Sequence, residues 1–209
     1  MGSLGTVHLV DDDPAFLAAM SRFLRSAGFL VVACDSAADL LSQVSAQTRG
    51  CVVADLDMPG VSGLELQALL ANSDIALPVV FLTGHGDIPS SVRAMREGAV
   101  DFLEKLAPRE ELLAAIARAL ARDAQMHAER IRLAERRRRL AALTEREREV
   151  FALVVRGKMN KQIAAMLGIH ERTVKLHRTA ITGKLGVHAV ARLAVLASEA
   201  RLFDTQPPP

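Results

Sequence analysis

Five short apolar runs, separated by segments with helical periodicity, organise roughly the first 120 residues of the chain. The runs are Val7–Val10, Leu30–Ala33, Cys51–Ala54, Val79–Leu82 and Phe102–Leu103. Strands that alternate with helices form parallel sheets through right-handed crossovers, and continuous apolar runs are typical of strands buried on both faces. The pattern therefore predicts a doubly wound α/β domain with a five-stranded parallel sheet and helices on both faces.

The charges are unevenly divided between the two halves of the chain. Residues 1–116 carry 7 Lys and Arg against 15 Asp and Glu, whereas residues 117–209 carry 19 against 9. An acidic module can hold a cation, and a basic module can bind nucleic acid. The asymmetry therefore predicts two domains with different partners.

A long uninterrupted helix is predicted after the fifth apolar run. It begins near Pro108, and no Gly or Pro occurs between Arg109 and Arg156. The stretch Glu129–Leu140 is almost entirely charged and has a poor heptad seam, which favours a solvated helical linker over a coiled coil. We therefore assign residues 1–120 to the first domain and residues 121–142 to the linker.

The second domain, residues 143–203, has the pattern of four short helices. Thr144-Glu145-Arg146-Glu147 is a capping box for the first of them. The other helices are predicted over Lys161–Leu167, Glu171–Leu185 and Val190–Ser198. We expect an all-α domain followed by a disordered tail, residues 204–209.

Composition restricts where the chain can work. No apolar run approaches the ~20 residues that a membrane-spanning helix needs, and the N-terminus lacks a basic stretch followed by a long apolar region. Cys34 and Cys51 lie in apolar strand-like runs, which indicates reduced core thiols rather than a disulfide or a metal site. We therefore expect a cytoplasmic protein with no membrane partner.

Acidic and polar residues stand at the C-terminal ends of the predicted strands. They are Asp11 and Asp12 after the first strand, Asp55 and Asp57 after the third, Thr83 at the end of the fourth, and Lys105 after the fifth. In a parallel sheet these ends converge at one rim, where crowded carboxylates repel one another unless a divalent cation lies among them. Oxygen ligands of this kind suit Mg²⁺, and a carboxylate beside the ion can accept a phosphoryl group.

Several ordered motifs resemble those of two-component response regulators. Val7-His8-Leu9-Val10-Asp11-Asp12-Asp13 looks like the opening of a receiver domain, and Asp55-Leu56-Asp57-Met58-Pro59-Gly60 resembles its phosphoacceptor loop. Thr83-Gly84-His85-Gly86-Asp87-Ile88-Pro89 is similar to the FixJ branch of the family. The second half looks like the LuxR/NarL-type helix-turn-helix of that branch. The resemblance covers nearly the whole chain and implies a flavodoxin-like receiver followed by a DNA-binding domain.

The resemblance also implies roles for the residues of the rim. Asp55 would be phosphorylated by a partner histidine kinase. The implied Mg²⁺ ligands are Asp11, Asp12, Asp55 and the backbone carbonyl of Asp57, and the implied switch residues are Thr83, Phe102 and Lys105. Phosphorylation adds a charge of about −1.5 to −2, which shifts a two-state element. We therefore expect phosphorylation to promote a homodimer and promoter binding, with RNA polymerase as a further candidate partner.

In a helix-turn-helix the second helix enters the major groove of double-stranded DNA. Here that helix is Glu171–Leu185, and the candidates for DNA contact are Lys161, Arg172, Thr173, Val174, Lys175, His177, Arg178 and Lys184. Arg178 is the candidate for reading guanine, because its fork matches O6 and N7. The helical period also allows Val174 to face the core, so its contact with DNA stays open.

Three alternatives remain open at this point. Val53-Ala54-Asp55-Leu56-Asp57 also resembles the Asp-x-Asp motif of haloacid-dehalogenase-type phosphohydrolases, although that motif should follow the first strand. A constitutive DNA-binding regulator with a non-switching receiver would share the same motifs. A basic four-helix domain could instead bind an acidic protein. We expect a transcription regulator rather than an enzyme.

The loop after Lys105 departs from the family pattern. Receivers usually follow this lysine with a proline joined by a cis bond, whereas here Leu106 follows and the next proline is Pro108. A cis bond before a non-proline residue costs about 2.5–4 kcal/mol. We therefore expect a trans Lys105–Leu106 bond and a lysine that is less well aimed at the phosphoryl group.

Overall fold

The computed structural model describes residues 3–84 and 88–187 of the 209-residue chain. The chain divides into two units, Met1–Ala128 and Glu129–Pro209, and the division falls inside the predicted linker. Within the described ranges, no helix combines the length and the apolar character that crossing a membrane requires.

The first unit is built on one parallel sheet. Its strands are β1 (Thr6–Val10), β2 (Leu30–Cys34), β3 (Cys51–Ala54), β4 (Val79–Thr83) and β5 (Asp101–Glu104). Every neighbouring pair is parallel, and the order across the sheet is β2-β1-β3-β4-β5. The predicted five-stranded parallel sheet is therefore confirmed.

Among the described residues, five helices belong to or begin in this unit. They are α1 (Pro14–Ser26), α2 (Ala37–Gln43), α3 (Gly63–Ala71), α4 (Ile88–Arg96) and α5 (Arg109–Ala141). Side chains cap two of these helices: Asp13 accepts from the first-turn amides of α1, and Ser62 with Glu65 forms the capping box of α3. These side chains satisfy backbone N–H groups that a helix leaves unpaired at its start.

The sheet separates two apolar layers. On β3, Val52 and Ala54 pack on the side of α2, α3 and α4, whereas Cys51 and Val53 pack on the side of α1 and α5. Alternate residues of a strand point to opposite faces, so a strand covered on both sides must be apolar throughout. Cys34 and Cys51 are free and buried, as predicted, and burial raises the pKa of each thiol to about 12.

The last part of α5 is largely exposed, in keeping with the predicted solvated linker. Most side chains from Glu129 to Arg139 face solvent, and Glu135 forms ion pairs with Arg138 and Arg139 one turn further on. Such pairs stabilise a helix by a few tenths of a kcal/mol each, roughly 0.2–0.5 kcal/mol.

The second unit contains α6 (Glu145–Val155), α7 (Asn160–Leu167) and α8 (Glu171–Leu185). Thr144 and Glu147 form the predicted capping box of α6, and Gly168 and Gly186 end α7 and α8 in the left-handed conformation. The core of this unit includes Val150, Ile163, Val174, Ile181 and Leu185. The predicted helix Val190–Ser198 and the tail 204–209 lie outside the described residues.

Candidate functional site

The ends of the strands bring the predicted rim residues together. Val10 of β1 is in register with Ala54 of β3, so Asp11 and Asp55 begin adjacent loops. The amide of Asp55 also donates to the Val10 carbonyl at 2.9 Å. On the other side, the amide of Lys105 donates to the Thr83 carbonyl at 2.7 Å. The positions of these residues thus follow from strand register rather than from loop flexibility.

Lys105 is the centre of the charge arrangement. Its Nζ lies 2.8 Å from Asp55 Oδ2 and 2.6 Å from Asp11 Oδ2. Asp11 is 1% exposed and Asp55 is 7% exposed, so both carboxylates depend on protein partners. The Lys105–Leu106 bond is trans, as expected. The ammonium reaches the Asp55 carboxylate directly, because the β4–β5 register directs Lys105 into the rim.

The two carboxylate oxygens of Asp55 accept hydrogen bonds from different donors, one from the backbone and the other from a side chain. Oδ1 accepts from the amide of Leu56 at 2.7 Å and, more weakly, from that of Asp57 at 3.4 Å. Oδ2 accepts from Lys105. Each oxygen of this carboxylate is therefore held by its own donors, and a carboxylate can act as the nucleophile toward phosphorus.

Three carboxylates could hold a cation here. Oxygens of Asp11, Asp12 and Asp55 all lie within 4.8 Å of one another, and Asp12 is exposed at the mouth of the group. Burial raises the pKa of Asp11, although hydrogen bonds from Lys105 and the Asp13 amide oppose the shift. Burial alone would lower the pKa of Lys105, but its bonds to Asp11 and Asp55 outweigh burial and raise it. An all-oxygen, strongly negative set of this kind fits Mg²⁺.

The predicted switch residues Thr83 and Phe102 lie on β4 and β5, the two strands that follow β3 across the sheet. Thr83 is fully buried at the end of β4. Phe102, on β5, is half-buried and packs against Phe81 with ring centroids 6.2 Å apart. Thr83 is therefore on the strand adjacent to β3, which leads into Asp55, and Phe102 is one strand further across the sheet.

Two contacts at the rim were not anticipated from the sequence. Lys105 lies over the ring of Phe16, with Nζ 4.3 Å from the ring centroid. Gly63 approaches Asp55 so closely that a Cβ there would lie 2.3 Å from the Asp55 carbonyl oxygen. The Gly63 position inside a capping box was visible in the sequence, but only the fold shows that the glycine is needed for close packing.

The candidate DNA-contacting residues lie in three different environments. Exposed side chains are those of Lys161, Arg172 and Lys175, whereas Thr173 and His177 are half-buried. Val174 is fully buried among the core residues of the second unit, which argues against its predicted contact with DNA. A side chain enclosed by α6 and α7 cannot reach a base edge without unpacking the domain.

The two remaining candidates are held by protein partners. Arg178 is half-buried, and its Nη1 donates to Asn160 Oδ1 at 2.9 Å. Lys184 Nζ donates to Glu147 Oε2 at 2.7 Å. The sequence argument also missed the exposed residues Leu176 and Thr179 of α8. Counting the helical period outward from the buried positions would have found them.

The sheet, its acidic rim and the helical second unit define a phosphoacceptor domain followed by a helix-turn-helix domain. Comparison with known proteins agrees over nearly the whole chain. Residues 7–117 match the response regulator receiver domain, and residues 141–197 match the bacterial regulatory proteins of the luxR family. The chain therefore belongs to the two-component response regulators that carry a LuxR-type DNA-binding domain.

Individual relatives are similar along most of their length. Nodulation protein W of Bradyrhizobium diazoefficiens is 41% identical over 187 residues, covering 90% of this chain and 82% of the relative. The transcriptional regulatory protein FixJ of Azorhizobium caulinodans is 39% identical, with coverage of 96% and 97%. The solved structure of the response regulator StyR superposes with a TM-score of 0.82 at 43% identity, covering 93% of this chain and 98% of that one.

Family membership bears on the phosphohydrolase and on the acidic-protein binder, and leaves the constitutive regulator as an alternative. The relatives are transcriptional regulators with a DNA-binding domain, so the chain regulates transcription and is not a phosphohydrolase. A receiver domain implies a histidine kinase as partner, and the luxR-type domain implies binding to DNA.

Proposed function

We propose that Asp55 accepts a phosphoryl group from a partner histidine kinase and that this event controls DNA binding. The observation that carries the proposal is the position of Asp55 beside the ammonium of Lys105 and the carboxylates of Asp11 and Asp12. In the transfer, the P–N bond of the phosphohistidine breaks and a P–O bond to the Asp55 carboxylate forms. The neutral imidazole leaves, and the donor is the kinase rather than ATP.

In this proposal Asp11, Asp12, Asp55 and the Asp57 carbonyl hold Mg²⁺ at the rim. The cation would offset the repulsion between the incoming phosphoryl oxygens and the carboxylates. Lys105 would keep its contact with Asp11 and add one to the phosphoryl group. This division of roles is supported by the position of Lys105 Nζ, which already bridges the two carboxylates.

The switch that follows would involve Thr83 and Phe102. A phosphoryl group on Asp55 offers new acceptor oxygens to the Thr83 hydroxyl, and Phe102 would then enter the space beside β4. Next to Phe102, α4 carries three exposed apolar side chains, Ile88, Val92 and Met95. Their i, i+4, i+7 spacing places them on one face of the helix. We propose that this α4–β5 face forms the two-fold dimer of the phosphorylated protein.

The dimer would place two copies of α8 on the paired half-sites of a promoter. Lys161, Arg172, Thr173, Lys175, His177, Arg178 and Lys184 remain the proposed contacts, with Arg178 reading guanine and the lysines and Arg172 contacting phosphates. A regulator of promoters works in the cytoplasm, beside the chromosome, and RNA polymerase is its proposed further partner.

Labelling with acetyl phosphate and Mg²⁺ tests the phosphorylation step. We expect the full-length protein to be labelled, Asp55→Asn to lose labelling completely, and Asp57→Asn to retain it. Titration of promoter-sized duplexes should then show tighter binding by the labelled wild type only. Undiminished labelling of Asp55→Asn would exclude Asp55, and equal DNA binding with and without phosphate would favour a constitutive regulator.

Sedimentation of the same samples tests the dimer. We expect phosphorylated wild type to shift toward dimer, and Val92→Glu to be labelled normally but to remain monomeric. Leu69→Glu changes a comparably exposed leucine on α3 and should dimerise like wild type. A Val92→Glu protein that still dimerises would exclude the α4–β5 face.

A further inference from the structure

The outward face of α8 carries a leucine. Leu176 lies in the middle of a helix that packs into its domain through Val174, Ile181 and Leu185, yet its side chain is 65% exposed. A helix turns by about 100° per residue, so Leu176 points about 200° away from Val174. It therefore projects from the side opposite to the buried stripe.

Two polar residues share this face with Leu176. Arg172 precedes it by four residues and Thr179 follows it by three, and both side chains are exposed. Residues at these spacings form one row along a helix surface. A single exposed leucine on a protein surface needs no explanation. Leu176 is in the centre of this outward row. If α8 enters the major groove, the leucine would therefore contact the DNA.

The chemistry of the groove identifies that ligand. The major-groove edges of the base pairs present hydrogen-bond donors and acceptors, and thymine alone adds an apolar group, its C5 methyl. The side chain of leucine has no hydrogen-bonding atom, so it distinguishes bases only through apolar contact. We propose that Leu176 packs against a thymine C5 methyl in each half-site and makes this protein select thymine there.

This inference rests on the proposed function, because it requires α8 to enter the major groove. It also separates two kinds of base contact on the same helix. Arg178, held by Asn160 on the half-buried flank of α8, would read hydrogen-bonding atoms. Leu176, on the outward row, would read the methyl group.

Replacing thymine by uracil tests the inference, because uracil lacks only the C5 methyl and keeps its base pairing. Duplexes are first selected from a random pool with the full-length protein after treatment with acetyl phosphate and Mg²⁺. Each thymine of the selected site is then replaced in turn. We expect one thymine per half-site at which uracil weakens wild-type binding about three- to tenfold, in the range for losing a buried methyl contact.

Leu176→Ala should abolish this difference, so that thymine and uracil duplexes bind within about twofold of each other. Leu176→Met keeps an apolar side chain and should preserve the penalty. Leu69→Ala removes an exposed leucine from the receiver unit and serves as the control, with the full wild-type penalty.

Two results would overturn the inference: a uracil penalty that Leu176→Ala leaves unchanged, or a wild-type site in which no thymine is sensitive to uracil. Failure of the wild type to select any duplex would be a different result. It would refute the DNA-binding function itself, and the thymine contact with it.

Discussion

The acidic rim and helix α8 differ in whether their charged side chains are paired inside the protein. At the rim, the buried carboxylate of Asp11 is already paired with Lys105, whereas Arg172 and Lys175 of α8 project into solvent. Buried charges interact strongly, and exposed charges are screened within about 8–10 Å at physiological salt. At the rim, the loss of one charge leaves a buried partner unpaired. The exposed cations of α8 have no such requirement, and their charge favours an anionic ligand.

The comparison also concerns what each region requires of its neighbours. Asp55 and Lys105 are positioned by strand register, so their geometry exists before any ligand arrives. On α8, Val174 and Leu176 are only two residues apart, yet one is core and the other is surface. Substitutions at the rim should change chemistry, and substitutions along α8 should divide into those that change stability and those that change recognition.

The largest expected effect is at the exposed member of the carboxylate group. Asp12→Asn removes one charge without disturbing the core, and we expect labelling by acetyl phosphate to need at least about tenfold more Mg²⁺. EDTA should abolish labelling of both proteins. Asp13→Asn is the control, because Asp13 caps α1 and lies outside the group. Equal Mg²⁺ dependence in all three proteins would remove Asp12 from the metal site.

The rim could be predicted from the sequence because its residues directly follow the strands, whose positions in a parallel sheet are predictable. Once alternating strands and helices are recognised, Asp11, Asp55, Thr83 and Lys105 must converge at one edge of the sheet. The sequence could not show that Phe16 lies beneath Lys105, because that contact depends on the rotation of α1 about its own axis. It also gave no reason to expect the bond between Lys105 and Asp11.

The face of α8 was harder to predict, for a physical reason. The helical period groups Val174 with Ile181 and Leu185, but a sequence alone does not show how closely α6 and α7 pack against this group. The partners of Arg178 and Lys184 are on other helices, 18 and 37 residues away in sequence, and no local pattern indicates them. Sequence motifs therefore indicated which helix would enter the DNA groove, but they did not determine which of its side chains are available to contact DNA.

The second prediction uses the contrast within α8. Val174→Ala should lower the free energy of unfolding of the second unit by about 2 kcal/mol, since it removes buried methyl groups and leaves a cavity. Leu176→Ala should change stability by less than about 0.5 kcal/mol. Hydrogen exchange of the α6–α8 amides in the full-length chain measures both. Similar losses of protection in the two variants would contradict the assigned faces.

The third prediction concerns pH. The hydrogen bond from Lys184, followed by that from the Thr144 amide, lowers the pKa of Glu147 below its ordinary value. A carboxylate whose pKa is lower in the folded state stabilises the fold above its unfolded pKa, and this contribution is lost as the pH falls through the folded value. We expect Lys184→Ala to cost about 1 kcal/mol at pH 7, a modest amount because Lys184 is partly exposed.

The control for this prediction is Glu147→Gln, which keeps the capping box and removes only the charge. Both variants should approach the stability of the wild type as the pH falls through the lowered pKa of Glu147, because Glu147 then becomes protonated in the wild type as well. A stability difference between wild type and Lys184→Ala that stays constant from pH 7 to pH 3 would show that Lys184 acts through packing rather than through its charge.

The smallest expected effect tests whether a protein partner helps or hinders an arginine that reads DNA. Asn160 Oδ1 occupies one of the five N–H groups of Arg178, which leaves enough donors for a bidentate contact with guanine. We expect Asn160 to orient the guanidinium, so Asn160→Ala should weaken discrimination for guanine about two- to fivefold. The double variant with Arg178→Ala should be no worse than Arg178→Ala alone, because both changes remove the same contact.

Titration against the selected duplex and its guanine-substituted forms measures all three proteins. Tighter binding by Asn160→Ala would mean that Asn160 holds Arg178 away from the groove, and strictly additive losses would mean that the two residues contact DNA independently.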